Sequence, residues 1–258
     1  MIDVQKLPDH RNIEIQDVGI KNFHLPLLIR EKNGGYQAVL GQISLSANLT
    51  PKFKGTHLSR FVEILNPLRE KVISSAEIKD LLEKTCKELK ATNAALEIRF
   101  KYFVEKKAPV SRKTSVLDYD CTFYGVLKEN EHQFILKVKV PVMNLCPCSK
   151  EISKWGAHNQ RGYITVRISY QGEIFWIEDL VALIEEQASA PIFPLLKRED
   201  EKYITEYSYS NPKFVEDVLR DVVLALRNIP SINFLQVLVE DIESIHNHTA
   251  FAGQIESR

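Results

Sequence analysis

Leu96-Glu97-Ile98-Arg99-Phe100-Lys101-Tyr102-Phe103-Val104-Glu105 sets apolar side chains at 96, 98, 100, 102 and 104 against Glu97, Arg99, Lys101 and Glu105. Side chains of an extended chain point alternately to opposite faces, so this stretch reads as a strand with one face buried and one wet. Such a strand belongs to an antiparallel sheet covered on one side only. Upstream, residues 75–90 read as a helix with Ile78, Leu81, Leu82 and Leu89 as its apolar face and Ser75 as N-cap. A helical spacing of Phe61, Ile64, Leu65 and Leu68 precedes it, opened by Ser59. Before that, residues 17–30 and 36–49 flank Asn33-Gly34-Gly35 and read as a hairpin, behind a loose arm of about eleven residues. Downstream, 115–127 is a further strand.

The same order then recurs. Phe134, Leu136, Val138 and Val140 alternate with Lys137 and Lys139, and Ile164, Val166, Ile168 and Tyr170 alternate with Thr165, Arg167 and Ser169. Helices are expected over 178–190 and 212–229, and strands over 234–242 and 249–255. The chain therefore reads ββααββ twice, as halves 1–130 and 131–258 that meet near 129–132. The fold class is α+β, with antiparallel sheets covered by helices on one face. The repeat is one of architecture and not of residues.

The chain has 258 residues, enough for one large domain or two small ones. Lys+Arg and Asp+Glu are 34 each, so no basic excess marks a nucleic-acid binder, although a local basic pocket for a phosphorylated small molecule fits. No apolar run approaches the roughly 18–20 residues of a membrane helix. The N-terminus lacks the basic start and apolar stretch of a signal peptide, so a cytoplasmic protein is expected. Four cysteines are too few for a disulfide scaffold, and free or metal-bound thiols follow.

Chemistry concentrates in Pro141-Val142-Met143-Asn144-Leu145-Cys146-Pro147-Cys148-Ser149-Lys150-Glu151-Ile152-Ser153 and Gly156-Ala157-His158-Asn159-Gln160-Arg161-Gly162, a connection between two strands. Cys146 and Cys148 face one side in extended backbone. Thiolates and an imidazole suit Zn²⁺ or a similar ion, and three local N/S donors favour an open catalytic site over a closed structural one. The other reading of Cys146 is a small buried residue. Cys86 and Cys121 read as core, and His10, His24 and His132 as ordinary surface or strand residues. His246 and His248 follow a strand on one side of the chain, either as functional groups or as solvated loop residues. Lys197-Arg198-Glu199-Asp200-Glu201-Lys202 reads as a solvated loop, or as a source of a carboxylate ligand and phosphate-binding cations. Glu216 reads as an exposed helix residue.

Leu145-Cys146-Pro147-Cys148-Ser149-Lys150-Glu151-Ile152-Ser153, followed by Gly156-Ala157-His158-Asn159-Gln160-Arg161, closely resembles the signature of the type IB GTP cyclohydrolase I family. Gly55-Thr56-His57-Leu58-Ser59-Arg60-Phe61, the Leu196 to Lys202 block and Asn211-Pro212-Lys213-Phe214-Val215-Glu216-Asp217 match in order along nearly the whole chain. The resemblance implies the tunnelling fold, with two ββααββ units per chain, and homotetramers with active sites at subunit interfaces. It implies conversion of GTP and water to 7,8-dihydroneopterin triphosphate and formate, the first step towards tetrahydrofolate and, in many bacteria, a feed to queuosine. Carried over by position, Cys146, His158 and Glu201 would ligate a divalent metal, Zn²⁺, Mn²⁺ or Fe²⁺, with Asp200 or Glu199 as alternatives to Glu201. Glu216 would anchor the guanine edge. His246 and His248 would shuttle protons or contact the substrate, and Cys148 would stand beside the metal. His57, Lys150, Arg161, Lys197 and Arg198 are the expected triphosphate contacts. Rival readings are an archaeal-type cyclohydrolase giving a cyclic phosphate, an NADPH-dependent nitrile reductase acting through a thioimide on Cys146 or Cys148, and a purine-binding or structural metal protein.

Overall fold

The alternating stretch at 96–105 lies in a strand from Asn93 to Lys107 in a computed structural model that describes residues 5, 7 and 9–258. Ala94, Leu96, Ile98, Phe100 and Tyr102 are buried, and Arg99, Lys101 and Phe103 are exposed. In chain order the strands are β1 (Ile15–Arg30), β2 (Tyr36–Leu49), β3 (Val72–Ile73), β4 (Asn93–Lys107), β5 (Thr114–Lys128), β6 (Glu131–Leu145), β7 (Asn159–Tyr170), β8 (Ala190–Pro191), β9 (Ile232–Ile242) and β10 (Thr249–Ser257). The helices are α1 (Leu58–Leu65), α2 (Ser75–Leu89), α3 (Pro147–Ile152), α4 (Ile177–Glu185), α5 (Arg198–Ser210) and α6 (Val215–Arg227). Two compact units result, Met1–Lys101 with Thr122–Leu136, and Tyr102–Cys121 with Lys137–Arg258. Each of β4, β5 and β6 thus passes from one unit to the other along its length.

In the first unit β1 pairs antiparallel with β2, and β2 with β4, placing Leu45 opposite Leu96 and Ile43 opposite Ile98. The short β3 runs parallel to β1. Phe61, Ile64 and Leu65 of α1 and Ile78, Leu81 and Leu82 of α2 are buried. A Cβ on Gly125 would stand 2.5 Å from Ile78 Cγ2, so the glycine lets α2 lie directly against β5. Phe100 meets Phe123 edge-on with centroids 4.9 Å apart, and Phe134 lies tilted against Phe123 at 5.4 Å. Between β5 and β6, Glu129 and Asn130 both take positive φ, 51° and 70°, the conformation a two-residue hairpin turn requires.

The N-cap of α2 is Ser74 and not Ser75. Its backbone is extended, its amide donates to Glu77 Oε2 at 2.7 Å, and its side chain accepts the Glu77 amide, the two bonds of a capping box; its hydroxyl also meets that carboxylate. Burial favours the carboxylate's neutral form, yet the Ser74 bonds outweigh it and hold Glu77 below its ordinary value. Part of the expected arm is fastened: the Lys54 amide donates to Leu7 O at 2.9 Å, and Gln5 Nε2 to Thr56 O at 3.0 Å. Residues 1–4, 6 and 8 lie outside the described residues.

In the second unit β7 pairs with β9, and β9 with β10, both antiparallel. Val215, Val218, Val222, Val223 and Leu226 give α6 its buried face. The helix expected over 178–190 stops at Glu185, because Ala190 and Pro191 pair with Met143 and Val142 of β6. Ser189 Oγ accepts the Leu145 amide at 3.1 Å, and tertiary hydrogen bonding overrides helix propensity there. The helix expected from 212 starts at Val215. The stretch read as a solvated loop, 197–202, is instead the first turn of α5. Tyr119 OH donates to buried Glu185 Oε1 at 2.8 Å, and Lys106 pairs with the other oxygen. Burial pushes the Tyr119 phenol far above its ordinary range. Among the described residues no helix is long and apolar enough to cross a membrane.

Asn48, 5% exposed, clamps the end of β2 to the turn before β4. Its Oδ1 accepts the amides of Thr92 and Asn93 at 2.9 and 3.0 Å, and its Nδ2 donates to Glu14 and Thr92. Asn48→Ala takes the acceptor from two part-buried amides and is expected to lower stability by about 1–2 kcal/mol. Urea unfolding midpoints read this directly, with Lys21→Ala on the exposed part of β1 as the reference.

Candidate active site

Strand β6 delivers the chain, fully buried at Asn144, to Cys146, where the backbone is still extended. Pro147 then starts α3, since a proline lacks only an N–H that has no helical partner at that position. Cys146 is the N-cap, and its Sγ accepts the Ser149 amide at 3.4 Å. Its own amide donates to His158 O at 3.1 Å. Ser149 closes the arrangement: its Oγ accepts the His158 amide at 3.2 Å and donates to Cys146 O at 3.1 Å. Four backbone and side-chain contacts therefore hold Cys146 and His158 side by side while 153–156 loop out into solvent. Cys148, on the first turn of α3, is exposed.

His158 Nδ1 lies 3.1 Å from Gln160 Oε1 and 3.3 Å from Ser244 Oγ. Among the described residues its Nε2 meets no hydrogen-bonding group. The Ser244 contact draws the segment after β9 towards the imidazole. On that segment His246 and His248 stack at 5.1 Å with rings 11° apart, both exposed. The two imidazoles do face one side.

Glu216 is exposed on the first turn of α6. That turn is tied to the end of β6, because the Lys213 amide donates to Leu145 O at 3.1 Å. Lys213 Nζ is itself held by Gln187 O and Asp221, both at 2.8 Å. Lys197, Arg198, Glu199 and Glu201 are exposed around the start of α5. Asp200 between them is fully buried. Its Oδ1 accepts the amides of Val110 and Ser111 at 2.8 Å, and its Oδ2 accepts Lys197 N at 2.8 Å and Ser111 Oγ at 2.6 Å. Both oxygens are consumed, which removes Asp200 from the alternatives to Glu201. Lys150 Nζ donates to Tyr209 O at 2.6 Å and sits 4.5 Å over that ring, so it bridges α3 to the end of α5. Arg161 is exposed near the start of β7. His57, preceding α1, belongs to the other unit.

A half-buried thiol beside an imidazole with a lone pair to spare suits a borderline divalent ion. Among the described residues no three His, Cys, Asp and Glu side chains gather closely enough to hold a metal. Cys146 and His158 are adjacent, and Glu201 is not gathered with them in the single chain.

Behind His158 lies a polar cluster absent from the residues expected at the site. Asn144, Gln160 and Asp241 are all buried, and Asp241 joins the other two at 2.8 and 3.3 Å. The signal was present in the alternation. Leu235, Val237 and Val239 lead to Asp241, and Val138, Val140 and Val142 lead to Asn144, each continuing an apolar stripe with a polar residue. Burial pushes the Asp241 carboxyl above its ordinary value, against the two amide bonds that lower it.

A family described as type I GTP cyclohydrolase folE2 matches residues 1–252. GTP cyclohydrolase FolE2 of Geobacter metallireducens is 50% identical over 253 residues, 98% of this chain and 96% of its own. The protein of the same name from Syntrophus aciditrophicus is 48% identical over 252 residues, 98% of each chain. Among solved structures, uricase from Arthrobacter globiformis is similar with a TM-score of 0.57 at 8% identity, over 94% of this chain and 93% of its own. Urate oxidase from Bacillus sp. TB-90 has a TM-score of 0.55 at 9% identity, over 95% and 100%. At such identity these two speak for the fold alone, which is the tunnelling fold.

The hydrogen bonds to Asp200 hold its carboxyl well below the usual carboxylate range, although burial opposes them. A folded-state value below the unfolded one adds stability at neutral pH, and that stability is lost as pH falls below about 4. Asp200→Asn is therefore expected to melt below wild type at pH 7, with the gap closing on acidification. Thermal unfolding from pH 7 down to pH 3 checks this, and a gap independent of pH contradicts it.

Proposed function

Because the chain belongs to the FolE2 family of type I GTP cyclohydrolases, we infer that it is the GTP cyclohydrolase that opens the folate pathway, converting GTP and water to 7,8-dihydroneopterin triphosphate and formate. The observation that carries this to particular atoms is the apposition of Cys146 and His158 through a backbone hydrogen bond. These two residues would hold a divalent ion, Zn²⁺, Mn²⁺ or Fe²⁺, with Glu201 as the carboxylate donor. When bound, the ion supplies the Lewis acidity that makes water nucleophilic near neutral pH. Water adds at C8 of guanine, the imidazole ring opens, a second hydrolysis releases C8 as formate, and the rearranged ribose carbons close the pterin ring on the freed amine with loss of one water, so one water is consumed net.

The chain's own residues do the rest. Glu216 accepts two parallel N–H bonds from the guanine edge, and a base lacking those donors leaves the carboxylate unpaired and is rejected. His246 and His248 take up and return protons at the ring, since an imidazole can both accept and donate a proton. Cys148 stands close by as a further proton-transfer group. Lys197 and Arg198, exposed at the start of α5, supply charge for the triphosphate, with Lys150, Arg161 and His57 as additional contacts. We read the halves 1–130 and 131–258 as two ββααββ copies and the working form as a cytoplasmic homotetramer with active sites at subunit interfaces. Phe251 and Ile255 on β10, 72% and 62% exposed, favour such an assembly. Use of the product for queuosine belongs to the same reading.

Metal-stripped protein is expected to release no formate from GTP, and to regain activity with Mn²⁺ or Zn²⁺. Cys146→Ala should abolish the regained activity, and Glu216→Ala should lower kcat/KM by about 100-fold or more. Mass analysis of the pterin distinguishes the linear triphosphate from a cyclic phosphate. Folded protein that makes no formate with either metal contradicts the assignment.

A further inference from the structure

Behind His158 the hydrogen bonds have a direction. The Ser189 amide donates to Asn144 Oδ1 at 3.2 Å, so Asn144 must turn its Nδ2 towards Asp241, and it donates to Oδ1 at 2.8 Å. Gln160 Nε2 donates to Asp241 Oδ2 at 3.3 Å. A carboxylate only accepts, so the Gln160 amide cannot turn over without losing that bond. Its Oε1 is then fixed on His158 Nδ1, 3.1 Å away, and an oxygen there requires the proton on Nδ1. Ser244 Oγ, also near Nδ1, can donate or accept and imposes no direction.

The cluster is enclosed. Asn144 and Ser189 are 0% exposed and Asp241 1%. Gly162 faces Asp241 across the β7–β9 ladder, and a Cβ there would stand 2.5 Å from Asp241 Oδ1 and 2.9 Å from Asn144 Nδ2. The absent side chain makes the room that the carboxylate occupies.

We propose that Asp241 is a positioning residue which, acting through Gln160, holds His158 in its Nδ1–H tautomer and so presents the Nε2 lone pair for a divalent metal ion. The proposal rests on the reading of His158 as a metal ligand. Asp241 touches neither the ion nor the substrate. It sets which imidazole nitrogen can act as a donor atom, as groups behind metal-bound histidines commonly do.

The test uses metal-free, full-length protein with isotope-labelled histidine, in which NMR reports which nitrogen of each imidazole carries the proton. His158→Ala identifies the His158 signals. Wild type is expected to show Nδ1–H. Asp241→Asn puts a possible donor opposite Gln160, which can then turn its own N–H towards His158 and move the proton to Nε2. Gln160→Leu removes the relay without touching the buried carboxylate, and it carries the test if Asp241→Asn does not fold. Both variants are expected to lose the Nδ1–H preference and to bind Mn²⁺ or Zn²⁺ about 10–100-fold more weakly, while Ser244→Ala keeps the wild-type tautomer. An unchanged tautomer in both variants, with native circular dichroism and melting, overturns the proposal. A changed tautomer together with metal affinity that ignores even His158→Ala overturns the ligand reading and, with it, the metal half of the proposal.

Discussion

A buried carboxylate must be met by donors, and of those in the second unit Asp241 is the one carried on a strand and met by side chains of two others. Asn144 from β6 and Gln160 from β7 converge on it from β9, so three neighbouring strands are held in one register by a single acceptor. A slip by one residue in β6 or β7 would turn its amide to the opposite face and leave one oxygen of the buried carboxylate without its donor, and a slip in β9 would turn Asp241 away from both amides. The same register brings Cys146 just past the end of β6 and His158 just before β7, where their backbones bond. Sheet alignment and site assembly are therefore one constraint.

Much of the fold was legible because its strands alternate cleanly. β4, β7 and β9 obey a period of two, and the amphipathic α2 and α6 a period of 3.6, so element types and order followed from pattern alone. The failures share a cause. α5 carries Arg198-Glu199-Asp200-Glu201-Lys202 and little apolar surface, so nothing periodic announced it. What holds its start is Asp200, whose partners Val110 and Ser111 are distant in sequence. The overlong α4 and the misplaced cap of α2 likewise turn on which tertiary or reciprocal hydrogen bond wins, not on propensity.

The site was legible to a different depth. Its local parts, the thiols and imidazole between β6 and β7 and the paired histidines after β9, stood out as reactive groups crowded into connections. The structure brings Cys146, His158 and the His246 segment into one neighbourhood. The partners that orient them were invisible, because Asn144, Gln160 and Asp241 are separated in sequence and meet only once the strands are in register. Lys150 shows the reverse: a cation beside the reactive loop that the folded chain already engages at Tyr209. Pattern reading finds groups that do chemistry more easily than groups that aim them.

The passage of β4, β5 and β6 from one unit to the other has a consequence for synthesis. The first unit needs Thr122–Leu136 before its contacts are complete, yet Tyr102–Cys121, which belongs to the second, leaves the ribosome earlier. That segment must wait for Lys137–Arg258 with its own apolar residues, Tyr102, Tyr119 and Cys121, still uncovered. A nascent chain halted between residues 121 and 137 would thus hold two unfinished cores at once, the kind of species that invites chaperone binding. No cut at a linker separates the units, because each is built from two stretches of chain. A gene fragment that stops at residue 130 encodes neither of them whole.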